Sequence, residues 1–225
     1  MSSLLHPSRS LFSFVTVVGL SFVLAAAAPN GCIGSDGPAS EGDEGEGEGE
    51  VSGGKKRIFI TSTSFSGDLV GAASTGSGLD AADTLCTNVA AGALLGGTFK
   101  AWLSTSEANA IDRIEDVGPW FLPDNEESEG AKVFNNRGGL AAYPLVPIRR
   151  DELGRELSDP NIWFAVWNGT SNGGIASGDN CNGWTDTTSS FSASIGTTDR
   201  IESWTHSLQG PFPCDQRIQL YCLQQ

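Results

Sequence analysis

Basic residues and histidine are scarce in this 225-residue chain. Thirteen Lys and Arg face 27 Asp and Glu, for a net charge of −14, and there are two histidines and one methionine. From Lys55 onward the balance is 12 basic against 20 acidic residues, a net −8. Such a surface offers no basic stripe for nucleic acid, heparin or an anionic lipid headgroup, so none of these is an expected partner. His206 is the single histidine of that region. A structural zinc site takes four Cys, His or carboxylate ligands, and no metal or other cofactor is expected. The nucleophile-elbow pattern G-x-S-x-G is missing too. A hydrolase would also need a Ser or Cys within reach of His206 and a carboxylate behind it. A lone loop histidine reads as solvated or hydrogen-bonded, and no catalytic residue is expected.

Long apolar runs are missing everywhere except Leu11–Ala28, LFSFVTVVGLSFVLAAAA, which follows Arg9. A charged start, an apolar middle and an alanine-rich finish read as an export signal over residues 1–28. The run is just long enough to span a membrane, which leaves an uncleaved anchor as the other reading. Residues 29–54 contain almost nothing to bury, and their EGEGEGE repeat is low complexity. They are expected to be an extended acidic tether. Cys32 near its start resembles the acylated first residue of a bacterial lipoprotein, with Gly31 before it, although Pro29 and Asn30 depart from that pattern. Acylation would place the protein at a cell surface or outer membrane. Ordinary cleavage near Ala27 would release it and leave a free, reactive thiol.

Residues 55–225 are long enough for one sizeable domain. RIFITS, Arg57–Ser62, alternates as a first strand, and Ser66-Gly67-Asp68 reads as a turn. SGLDAADTLCTNVAAGALLGG is the clearest helix: Ser77 or Asp80 caps it, and Gly96-Gly97 stops it. Leu79, Ala82, Leu85, Cys86 and Val89 form its buried stripe. TFKAWLS is extended, and EANAIDRIED is a second helix capped by Ser104 or Ser106. Short segments follow: PWFL, KVF, IWFAVWNG, CNGWTD, RIESWT and RIQLYCLQ. Early helices and late strands predict an α+β domain with a mixed or antiparallel sheet.

In CDQRIQLYC the alternation puts Ile218, Leu220 and Cys222 on one face, the pattern of a strand with one buried side. Eight strand residues separate Cys214 from Cys222 by roughly 26 Å, far beyond the span of about 7 Å that a disulfide bridges. With Cys32 assigned to the tether, two pairings of Cys86, Cys181, Cys214 and Cys222 remain. One is nested, Cys86–Cys222 with Cys181–Cys214; the other is crossed. An exported chain makes oxidation expected.

AGALLGGTFKAWLST, YPLVPIRRDEL, AVWNGTSNGG and CNGW, in that order and with this cysteine spacing, resemble the C-type-lectin-like fold, in particular endostatin. They also resemble an uncharacterised branch of exported bacterial proteins, many of them lipoproteins, that carry such a domain alone. The resemblance covers Lys56–Gln225. It implies the nested bridges Cys86–Cys222 and Cys181–Cys214, and a long-loop region that binds ligands. The calcium motifs of sugar-binding relatives are missing: Trp204 is followed by Thr205 and His206, where a calcium loop would offer carboxylate or amide oxygens. The histidine-rich zinc segment and the heparin-binding arginines of endostatin are missing as well.

Other candidates carry ordinary readings. Asp124–Glu129 fails the EF-hand pattern at Glu129, where glycine is required, and reads as an exposed charged loop. Asp179, Asn180 and Asn182 suit turns. Of six tryptophans, most should be core. Trp163 and Trp167 share a face of their strand. Trp184 and Trp204 lie where the fold binds ligands, and one of them is the candidate exposed stacking surface. Asn168-Gly169-Thr170 is a glycosylation sequon. The expected function is a non-catalytic, calcium-independent extracellular binding module for a protein or carbohydrate. The alternatives are a structural envelope lipoprotein without a specific ligand and a calcium-dependent lectin.

Overall fold

The computed structural model describes residues 55–125, 128–157 and 164–225. The export signal, the tether, Cys32, Glu126, Glu127 and Trp163 lie outside them. Among the described residues no helix is long and apolar enough to cross a membrane.

The strands are β1 (Lys56–Ile60), β2 (Phe99–Ala101), β3 (Trp120–Phe121), β4 (Lys132–Phe134), β5 (Ala165–Trp167), β6 (Ser192–Ala193), β7 (Ile195–Thr197), β8 (Phe212–Pro213) and β9 (Gln219–Gln224). Seven of them build one curled, mixed sheet in the order β4-β3-β1-β9-β5-β7, with β2 also on β9. The strand latest in sequence is therefore central. On one edge it pairs antiparallel with β1 through Tyr221, Cys222 and Leu223. Its other edge is shared: β2 runs antiparallel along Cys222–Gln224, and β5 runs parallel to Gln219–Leu220. β6 and β8 form a separate two-stranded ribbon.

Period-two alternation decides which core each strand residue enters. Phe59, Leu220, Cys222, Ala165 and Trp167 face a core closed by the helix α2 (Gly78–Gly92). Ile58, Ile60, Val166, Tyr221 and Leu223 face a second core of Trp102, Trp120, Phe134, Ile148 and Trp204. The expectation that the final strand buries one side is corrected here. Gln219–Leu223 are all buried, because both faces of the sheet are covered.

The capping box that starts α2 is complete: the Ser77 hydroxyl accepts from the Asp80 N–H while the Asp80 carboxylate accepts from the Ser77 N–H. The helix ends at Gly92, earlier than Gly96, and Leu94 just beyond it has φ 59°. Its buried residues include Ala82, Leu85 and Cys86, while Leu79 and Val89 are only half-buried at the rim of the core. A five-residue helix, α1 (Leu69–Ala73), follows the Asp68 turn, with the Asp68 side chain accepting from the Gly71 N–H. The second helix expected from EANAIDRIED is a single turn, α3 (Ala110–Arg113), whose N-cap residue is Asn109. Ser104 nevertheless contributes, its hydroxyl accepting from the Ala110 N–H at 2.9 Å. CNGWTD and RIESWT do not form strands. The former is a turn in which Asn182 and Gly183 adopt positive φ, and the latter is a run of bends.

Cys86 pairs with Cys222 (Cα–Cα 5.5 Å) and Cys181 with Cys214 (Cα–Cα 5.6 Å), which is the nested arrangement. The first bridge bolts α2 onto the central strand. The second ties the Cys181 turn to the end of the β6–β8 ribbon.

Candidate ligand cleft of the long loops

The five described tryptophans are all buried, and each indole N–H has a designated acceptor. Trp102 donates to Thr205 Oγ1 at 2.8 Å, Trp120 to Gln224 O at 2.9 Å, Trp167 to Phe65 O at 2.8 Å, Trp184 to Ser104 O at 2.9 Å and Trp204 to Ala142 O at 2.8 Å. Large rings with one polar tip serve here as pins between loops and sheet. Trp184 is 0% exposed and Trp204 is 1% exposed. Neither ring presents a face on which a sugar can stack, so the expected exposed tryptophan is not found. The reason is packing: Trp204 lies against Trp102, Phe134 and Tyr221 at centroid distances of 4.9, 5.0 and 5.9 Å, and Trp184 meets Trp167 edge-on at 6.1 Å.

Two of these pins, Trp102 and Trp204, hold the loop from Asp199 to Pro211. Asn168, fully buried, donates from Nδ2 to Thr205 O at 2.8 Å and accepts the Thr170 N–H on Oδ1 at 3.0 Å. Thr197 and Ser203 exchange a backbone bond of 2.8 Å and a hydroxyl bond of 2.6 Å, and Tyr221 donates its phenol to Thr197 O at 3.0 Å. Burial, with the Asp199 charge as a lesser cause, pushes the Tyr221 phenol well above its ordinary range, so it stays a donor. Gly196 permits the close approach. A Cβ there would sit 1.8 Å from Trp204 O and 2.9 Å from Asn168 Nδ2.

Fixed from below at Trp204, Thr205 and Ser207, the loop turns His206 and its neighbours toward a cleft of about 740 Å³. Thr197, Asp199, Glu202, Ser203, Ser207 and Gln209 supply its polar walls. Arg200 is its guanidinium, mostly exposed and 3.6 Å from Asp199. A smaller hollow of about 260 Å³ lies on the other side of His206 and Ser207, with Ser177, Asp179 and Ser194 in its lining. His206 Nδ1 is buried without a hydrogen-bond partner among the described residues, and nothing couples the ring to a serine or carboxylate as a proton relay.

No protein-family model matches this chain, and no curated protein does either.

The remaining sequence candidates are occupied by folding contacts. Asp124 accepts from the Gly130 N–H at 2.7 Å and from Arg57 at 2.6 Å, and the Gly130 bond leads in holding its carboxyl below the usual range. Glu129 pairs with Lys55 at 2.9 Å. The Asn180 side chain accepts from the Gly183 N–H at 2.8 Å, which closes the Cys181 turn. Among the described residues no three His, Cys, Asp or Glu converge as a metal site. The sequon asparagine Asn168 has no free amide to modify in the folded domain, because it braces the loop. Thr197, Asp199, Glu202, Ser203 and Gln209 were not singled out from sequence. The run DRIESWTHSLQG held the signal, an aromatic anchor set among polar residues, with Trp204, Thr205 and Ser207 buried and Glu202, Leu208 and Gln209 exposed.

Proposed function

We propose that residues 55–225 form a C-type-lectin-like domain of the endostatin type acting as a non-catalytic, calcium-independent binding module outside the membrane, with its ligand seated in the cleft beside His206. The nested cysteine pairs, a helix bolted to the central strand and long loops over one end support that fold. One observation carries the functional reading: the cleft is walled by hydroxyls, amides and carboxylates on a loop held from behind by the buried Trp102 and Trp204. Fixing the loop before the ligand arrives removes much of the ordering cost of binding. A few placed polar groups then give orientation and specificity. Such walls suit a carbohydrate, or a polar loop of an extracellular protein.

The test is a glycan and extracellular-protein array run with and without chelator, using the wild-type chain and the wall variants His206→Ala and Gln209→Ala. Chelator-independent binding, lost by roughly tenfold in the wall variants, is the expected result, since central polar contacts of a cleft are worth about a kcal/mol or more each. Chelator-sensitive sugar binding would replace the reading with a calcium-dependent lectin. Failure to bind any probe would favour a structural envelope protein.

A further inference from the structure

Three Asn-Gly pairs fall among the described residues: Asn168-Gly169, Asn172-Gly173 and Asn182-Gly183. In sequence they are chemically equivalent. Each has an asparagine amide followed by a residue without a Cβ, the pair in which a backbone nitrogen most easily reaches the preceding side chain. The fold makes them different.

Asn168 is fully buried with its amide engaged, and the Gly169 N–H donates to Ser194 O at 3.0 Å. The Gly183 N–H donates to Asn180 Oδ1 at 2.8 Å, so the nitrogen that would attack Asn182 is held by a turn that the Cys181–Cys214 bridge anchors. Asn172 is exposed and lines the 740 Å³ cleft. Neither its side chain nor the Gly173 N–H has a hydrogen-bond partner among the described residues. Gly173 sits at φ 79° within a short turn, and a Cβ placed there would meet only Ile175, at 3.9 Å.

We propose that Asn172 is a deamidation site built into the cleft wall, while its two sequence equivalents are protected by the fold. The Gly173 nitrogen, once deprotonated, attacks the Asn172 side-chain carbonyl carbon. The new N–C bond closes a five-membered imide and ammonia leaves. Water then opens the imide at either carbonyl, giving aspartate or isoaspartate. The net change is amide plus water to carboxylate plus ammonium, with no oxidant or reductant involved. The product adds a carboxylate to a cleft that already presents Asp199 and Glu202 against one guanidinium, Arg200. Cationic ligands are thereby favoured over anionic ones. The site itself does not depend on the binding reading; only this last consequence does.

The full chain is incubated in mildly alkaline buffer, and conversion at each asparagine is followed by fragment-resolved mass spectrometry, alongside a reduced sample unfolded in urea. In the folded chain Asn172 is expected to convert roughly tenfold faster than Asn182, with Asn168 slower still, because a protected site reacts only through local opening. In the unfolded chain the three should converge. Asn172→Gln should lower the early acidic species on isoelectric focusing, the remainder coming from Asn30-Gly31, without altering the melting temperature. Equal rates at Asn172 and Asn182 in the folded chain would overturn the proposal. So would an unchanged acidic species in the Asn172→Gln variant.

Discussion

Ser77 and Asp80 show how much of α2 rests on two short side chains. Hydrogen bonds from the Ser77 hydroxyl and then the Ser77 N–H hold the Asp80 carboxyl below its ordinary value of 3.8. Its folded pKa lies under the unfolded one, so its contribution is present above about pH 3.8 and fades as pH falls through the depressed value. Ser77→Ala is expected to cost about 1 kcal/mol at neutral pH. The gap from wild type should narrow below that window, as urea denaturation at several pH values would show. An unchanged gap across the range would mean the cap acts without the Asp80 charge. At this scale the sequence was legible where chemistry is local: spacing placed the α2 cap at Ser77 or Asp80 and Cys86 on the buried face, and the structure has Ser77 as the cap with Asp80 its capping-box partner. Trp184 and Trp204 were not legible, because an indole looks alike in sequence whether its partner is a ligand or a carbonyl 80 or 62 residues away.

The elements divide along the same line. α2 is long, capped and periodic, and it forms nearly where expected. α3 shrinks to one turn because its neighbours, and not its propensity, decide its length. The Arg113 guanidinium is pulled onto Asp83 at 2.7 Å and onto the Ala101 carbonyl at 2.7 Å. Burial is the main cause that raises the Asp83 carboxyl, against the pull of Arg113. Strand order was hidden altogether, since period-two alternation gives a face but names no neighbour. The two cysteine bridges should contribute unequally. They close loops spanning 136 and 33 residues, for which chain entropy gives about 5 and about 4 kcal/mol. Replacing Cys86 and Cys222 by alanine should therefore lower the denaturation midpoint more than replacing Cys181 and Cys214. The second pair should loosen mainly the ribbon and the Cys181 turn, visible as faster hydrogen exchange there. The reverse ranking would show that enthalpy or residual denatured structure dominates.

For the whole molecule, two buried cysteine pairs fit an oxidising compartment, in keeping with the export expected from residues 1–28. Mass spectrometry of the mature N-terminus is expected to find a lipidated Cys32. A free terminus near Ala27 would make the protein a released one. The position of β9 has a further consequence, for the timing of folding. The strand that unites β1, β2 and β5 is the last of the sheet's strands to be synthesised. β1, β2 and β5 cannot be joined into one sheet before it arrives, since β1 and β2 find their shared neighbour only across more than a hundred residues. Such non-local closure is slow. While synthesis proceeds the sheet lacks its central strand, and a polypeptide in that condition can still be threaded through a narrow pore.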